Sequence, residues 1–295
     1  MVEPDLPGEA PLQAYLRLVE RCYNEDRLDA AMKVAEDAFE RVGWQPGGWT
    51  ALFNELVCEK DARDASTPVQ VGGNLTLEIP RTAPPEISAN VRIAAEQAKR
   101  TIGEALGVEW VRPVTITVFL PDAAVDFIFG SYGYVSHKTT LDKICLPHDT
   151  VVTKREAIDA LSHEFAHVAT YELAHATPPE WLDEGIATYL SRELSFRQSR
   201  FVISTAARTG RMISLRRIEG VLTNPDDRKD NPEMVSAAYL LSGSFIDFWV
   251  TRHGLHTVRD TLLRLREDDN IDRAVRHATG ESLGDIERGW REGLR

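Results

Sequence analysis

Apolar positions near the start of the chain recur at three- and four-residue spacing. Leu12, Tyr15, Leu16, Val19 and Cys22 form one stripe, and Leu28, Ala31, Val34, Ala35 and Phe39 form a second beyond the polar break Asn24 to Arg27. That period buries one face of each segment and predicts a helical hairpin. Gly43 to Gly48, with Pro46 inside, separates it from a third helical stretch, Trp49 to Val57. Residues 61–73 are polar, carry Gly72-Gly73 and read as a linker. The period then changes to two. Leu75-Thr76-Leu77-Glu78-Ile79 alternates like a half-buried strand and stops at Pro80. An amphipathic helix is expected over about 86–106, ended by Gly107. Val114 to Leu120 reads as a strand between Pro113 and Pro121, Ala123 to Phe129 as a short helix, and Tyr132 to Ser136 and Leu141 to Leu146 as weaker strands.

Beyond residue 150 the pattern is almost wholly helical. Thr153-Lys154-Arg155-Glu156 is a capping box that starts a helix of about twenty residues. Thr177-Pro178-Pro179-Glu180 opens the next. Further helices are predicted near 233–252, closed by Gly254, and at 255–267, 270–278 and 282–293. The chain is therefore expected to be α+β and mostly helical, with an N-terminal helical region over 1–70, a sheet-bearing subdomain over 71–200 and a C-terminal helical subdomain over 201–295.

The candidate chemistry lies in the capped helix. His163-Glu164-Phe165-Ala166-His167 puts two imidazoles four residues apart, on one helix face and one turn apart, where they can converge on one cation. Glu164 adjoins the first ligand, beside the open side of such an ion, where a water would be. This is the H-E-x-x-H arrangement of zinc hydrolases. Catalytic zinc takes three protein ligands and keeps a fourth position for water. The expected third ligand is Glu184, seventeen residues beyond His167 in Trp181-Leu182-Asp183-Glu184-Gly185-Ile186-Ala187. Gly185 would let this second helix approach the motif helix closely. Asp183 would orient a ligand imidazole. Glu180 and Asp183 compete with Glu184 for the ligand role.

These two segments resemble the gluzincin metallopeptidases, and more narrowly the M1-like, peptidase MA-like group. The match is tight over about 153–190, looser over 110–150 and 233–250, and does not extend to residues 1–70. The resemblance implies a thermolysin-like (zincin) catalytic core, in which a small sheet packs on the zinc helix and a helical subdomain follows. It implies one Zn2+ held by His163, His167 and Glu184, with Glu164 as general base. Members of the M1 group hold the developing oxyanion with a tyrosine downstream of the glutamate ligand. Tyr239, fifty-five residues beyond Glu184, is the best-placed candidate and Tyr189 the runner-up. The Gly-x-Met-Glu-Asn strand by which M1 aminopeptidases grip a substrate amino terminus has no counterpart in residues 131–147. The expected activity is accordingly that of a zinc metallopeptidase, more endopeptidase than aminopeptidase, with a peptide or protein substrate. Tyr132 to Ser136 or Leu141 to Leu146 could pair with that substrate as an edge strand.

Composition narrows the setting. A net charge of −12 argues against a nucleic-acid-binding surface, which needs clustered Lys and Arg. The acidic start lacks an apolar leader segment, no run of about 18 apolar residues suggests a membrane span, and three scattered cysteines fit a reducing, cytoplasmic compartment. Cys145 is expected to be a small buried residue. Asn224 to Pro232 is read as a polar loop near the cleft, and Arg208, Arg211, Arg216 and Arg217 as a solvated face. The N-terminal helices have the outline of a single tetratricopeptide-type unit, although that architecture needs several repeats. Two other functions stay open. One is a partner-binding helical scaffold that recognises its partner through residues 1–60 and carries a structural or inactive zinc site. The other is a latent protease gated by the same helices.

Overall fold

The computed structural model describes residues 11–42, 48–120, 133–191, 203, 213–224 and 231–294. The chain is mostly helical with one small mixed sheet. It divides into two compact units, Met1–Arg92 with Trp110–Ala157, and Ile93–Glu109 with Ile158–Arg295.

In the first unit, α1 (Pro11–Asn24) and α2 (Leu28–Val42) form the expected hairpin. Asp26 makes the turn with a left-handed φ of 55°. Tyr15, Val19, Cys22, Leu28, Ala31 and Ala35 line its core, which α3 (Gly48–Ala65) completes with Leu56. Phe39, predicted to face inward, is 48 % exposed, and Ala38, one position earlier, takes the buried place. Residues 61–73 are not a linker. They hold the end of α3 and a strand, β1 (Val69–Val71), antiparallel to β2 (Leu75–Glu78). Gly72 and Gly73, with φ of 52° and 40°, make the turn of that hairpin.

The sheet runs β1-β2-β3-β5-β4, with β3 at Val114–Phe119, β4 at Tyr134–His137 and β5 at Asp142–Pro147. The β2/β3 and β3/β5 pairs are parallel, and β4 closes the edge antiparallel to β5. The parallel β2-to-β3 connection contains α4 (Pro85–Leu106), the long crossover that such a pair requires. The register pairs Glu78 with Thr117, Thr117 with Cys145 and Cys145 with Tyr134. Because side chains alternate between faces, these residues share one face with Thr115 and Lys143. Leu77, Ile116, Val118, Ile144 and Leu146 fall on the other. One face is thus apolar and the other polar, yet β3 and β5 are buried throughout.

Helix α3 satisfies the polar face. Glu59 meets Lys143 at 2.5 Å, with both side chains essentially unexposed. Thr117 donates to Glu78 Oε2 at 2.7 Å, and Arg63 pairs with Glu78 at 3.2 Å. The Tyr23 hydroxyl on α1 has two acceptors in reach for its one proton, Glu55 at 2.7 Å and Glu59 at 2.8 Å, and Tyr134 donates to Glu55 at 3.2 Å. Lys138, 2 % exposed, lies over the Tyr23 ring, and its Nζ meets no hydrogen-bond acceptor among the described residues. Burial pushes its pKa down. Cys145 packs with Cys58, Ala62 and Phe119, and burial pushes its thiol up to about 12. It is an inert core residue. On the apolar face Asp142 is balanced by His137 at 2.8 Å and Arg112 at 3.1 Å, which gives His137 a structural part.

The second unit contains most of α5 (Lys154–Ala174), then α6 (Glu180–Ser191), α7 (Leu215–Thr223), α8 (Pro232–His253), α9 (Leu255–Leu265), α10 (Ile271–Thr279) and α11 (Leu283–Gly293). The capping box is formed at the start of α5. Glu156 N–H donates to Thr153 Oγ1 at 3.2 Å, and Thr153 N–H to Glu156 Oε2 at 2.9 Å. Helix α8 is long and apolar enough to cross a membrane by length and composition, which the sequence reading did not pick out. Its Phe245, Ile246 and Trp249 are fully buried in the core of this unit. Phe245 makes edge-to-face contacts with Trp181, Trp249 and Trp290 at centroid distances of 5.4, 5.9 and 5.5 Å. The indole N–H groups of Trp249 and Trp290 are satisfied, by Thr257 and by Ser244.

The expected short helix at 123–129 and most of the loop at 224–232 lie outside the described residues, as do Arg208 and Arg211. Arg216 and Arg217 are exposed on α7.

Candidate metal centre

His163 and His167 sit in the middle of α5, on a helix anchored by the fully buried Leu161, Phe165, Ala166 and Ala169. Both histidines are half-buried. Their rings stand 4.8 Å apart between centroids and are inclined at 73°. Glu184 comes from α6. The first turn of that helix is fixed by Pro179, by the Trp181–Phe245 contact and by Glu219, whose Oε2 accepts from Trp181 N–H at 3.1 Å.

Gly185 serves a different contact from the one expected. A Cβ there would stand 2.8 Å from Ile246 Cγ1 and 2.9 Å from the Ser242 carbonyl oxygen. The missing side chain therefore lets α8, rather than the motif helix, approach α6. That approach sets the position of the adjacent Glu184.

Glu184 Oε2 lies 3.3 Å from His163 Nε2 and 3.5 Å from His167 Nε2. The three side chains can offer one ligand atom each with all three within 4.8 Å of one another, so the group could hold a metal ion. Among the described residues neither Glu180 nor Asp183 belongs to that group. The two separations from Glu184 fit a small ion. Ligands set tetrahedrally at about 2.0–2.1 Å stand about 3.3 Å from each other, close to both separations quoted above. Two imidazole nitrogens and a carboxylate oxygen also match the donor set of open, three-ligand zinc sites.

Asp183 acts on one of the imidazoles. Its Oδ2 lies 2.9 Å from His167 Nδ1, and its Oδ1 accepts from the Thr170 hydroxyl. The electrostatics favour positive charge at this point. Burial pushes the His167 pKa down, but the carboxylates of Asp183 and Glu184 outweigh it and hold it well above the usual imidazole value. Burial likewise pushes Glu184 up, and the two imidazoles outweigh that and hold it far below the usual carboxylate range. A site that stabilises added positive charge accommodates a divalent ion for the same reason.

Glu164 is 4 % exposed and lies in α5 between the two histidines, outside the ligand group. Tyr239 is half-buried on α8. It shares a helix face with Ser242 and Ile246, the two residues that touch Gly185. Tyr189 is half-buried on α6. Thr170 and Glu219 were not singled out in the sequence. Thr170 could have been, because a residue three positions after His167 lies on the same helix face. Glu219 could not, because it reaches Trp181 from a helix 38 residues away. In comparisons with known proteins, no family model matches this chain and no curated protein matches it.

Proposed function

We propose that this protein is a zinc-dependent peptidase of the gluzincin type, with a thermolysin-like catalytic core, and that it cleaves within peptide or protein chains. The observation that carries the proposal is the convergence of Glu184 on both imidazoles at 3.3 and 3.5 Å, with the buried Glu164 between the two histidines in sequence. A purely structural metal site has no use for such a base.

In this reading His163, His167 and Glu184 hold one zinc ion, which when bound polarises a peptide carbonyl and acidifies a water molecule. Glu164 takes the proton from that water at its carboxylate and returns it to the leaving amine. Asp183 keeps the His167 proton on Nδ1, so that Nε2 remains a donor to the metal. The Tyr239 hydroxyl donates a hydrogen bond to the oxygen on which negative charge develops. The three cysteines are buried and form no disulfide, which suits a cytoplasmic protein. The acidic balance is a poor match for nucleic acid.

The direct test is metal analysis of the purified chain together with cleavage of a peptide library. Stoichiometric zinc and chelator-sensitive cleavage are expected. A zinc-loaded protein that cleaves no member of the library would overturn the activity. Two substitutions test the assignments. Glu184→Ala is expected to weaken zinc binding by about a hundredfold or more, while Glu180→Ala leaves it within about threefold. Equal losses in a chelator competition would reassign the third ligand. Tyr239→Phe is expected to lower kcat by about 10²–10³-fold with zinc content unchanged. An unaltered kcat would remove Tyr239 from the mechanism.

A further inference from the structure

We propose that Thr170 is a positioning residue of the metal centre, which locks Asp183 and through it the plane of the His167 imidazole. The inference rests on the metal-binding reading above. Thr170 has no exposed surface and follows His167 by three positions on α5. Its hydroxyl has two acceptors in reach, the His167 carbonyl oxygen at 2.9 Å and Asp183 Oδ1. A hydroxyl carries one proton. The ionised carboxylate is the stronger acceptor, so the proton is directed to Asp183. The carbonyl three residues back is the usual resting place of a helical threonine hydroxyl, and it holds the rotamer from which Asp183 is reached.

Both oxygens of Asp183 are then committed, Oδ1 to Thr170 and Oδ2 to His167 Nδ1. A carboxylate held at two points cannot turn about its Cβ–Cγ bond. An ionised carboxylate only accepts, so Nδ1 keeps its proton, and Nε2, on the Glu184 side, is the nitrogen left to bind a metal. The same contact has a second effect. Asp183 immediately precedes Glu184 on α6, so the Thr170 bond ties the turn that carries the third ligand to the helix that carries the other two. Losing the hydroxyl leaves Asp183 pivoting on one bond and loosens both relations, with no ligand removed.

The experiment compares Thr170→Val, which keeps shape and β-branching but has no proton to give, with Thr170→Ser, which keeps the proton. Zinc affinity is measured by competition with a chromogenic chelator at fixed pH. The visible absorption of the cobalt(II)-loaded protein reports ligand geometry, and circular dichroism of each metal-free protein checks folding. Thr170→Val is expected to bind zinc about 10–100-fold more weakly and to shift the cobalt bands, and Thr170→Ser to stay within about threefold of wild type. Asp183→Asn is expected to lose affinity comparably. The double variant should then be no worse than Asp183→Asn alone, because both changes act through one carboxylate. Two outcomes overturn the inference alone: a Thr170→Val protein that binds zinc within about twofold of wild type with an unchanged cobalt spectrum, or losses that add in the double variant. A wild-type chain that takes up neither metal overturns the metal-binding reading itself, and this inference with it.

Discussion

Glu164→Gln is expected to leave zinc content at the wild-type level and to slow peptide hydrolysis by about 10²–10⁴-fold, the usual range for loss of a positioned general base. Glu164 lies one position after His163 and three before His167, so it flanks both histidines without belonging to the group that converges on Glu184. Glutamine fills the same volume in this buried position and keeps a polar end, so α5 and the two imidazoles keep their places. What it lacks is an oxygen basic enough to take a proton from water. The loss should therefore fall on kcat, with KM little changed, as expected when an interaction made only in the transition state is removed. Atomic absorption on the purified variant and a quenched-peptide assay read the two quantities separately. Wild-type turnover from the variant would mean that no proton passes through Glu164, and the proposed hydrolase would lose its base. Loss of zinc from the variant would instead make Glu164 part of the ligand set.

The parts of this site that lie within one helix were legible from spacing alone. The capping box fixes where α5 begins, and a four-residue interval puts His163 and His167 on one face whatever surrounds them. The choice of third ligand was less so. Glu180 and Glu184 are one turn apart on the same helix, and helical phase cannot separate them. The choice depends on how α6 is placed, and that depends on Gly185 lying against Ser242 and Ile246 of α8. A glycine in sequence announces close approach without saying to what, and the expected partner was the wrong helix. The strand β1 was missed for another reason. Val69-Gln70-Val71 is too short to show alternation, and the double glycine after it resembles a linker until its left-handed φ values reveal a hairpin turn. The polar face of the sheet was hidden by distance. Lys143 and Glu59 are 84 residues apart, and each alone looks like an ordinary surface charge.

That buried pair carries the largest expected effect on stability. Replacing Glu59 by methionine should destabilise the first unit by about 3–5 kcal/mol, the usual cost of leaving one member of a buried ion pair uncompensated. Lys143 has no exposed surface, and its other carboxylate, Glu78, is 3.8 Å away and already engaged by Arg63 and Thr117. Tyr23 would lose one of its two acceptors, and the buried Lys138 would lose a nearby negative charge. The paired replacement Glu59→Met with Lys143→Met removes both charges and should recover most of the loss, because two desolvated ions give way to apolar packing. The shift in urea midpoint of the transition belonging to this unit measures both. A single variant as stable as wild type would show that Lys143 reaches water or another partner. The pair also has a pH signature. Burial raises the Glu59 carboxyl, but Lys143, Lys138 and the Tyr23 hydroxyl outweigh it and hold its folded pKa below the usual range. A depressed folded value means that the stabilisation is complete above the unfolded-state carboxylate pKa and is lost as pH falls through the folded one. Wild-type protein should therefore lose stability on the acid side more steeply than the double methionine variant. This ionic layer includes Tyr23, Glu55 and Glu59 from α1 and α3, so excising residues 1–60 takes Glu59 from Lys143 and the Tyr23 ring from Lys138. Activity changes after such a truncation would report damage to the sheet as well as removal of any cover or docking surface.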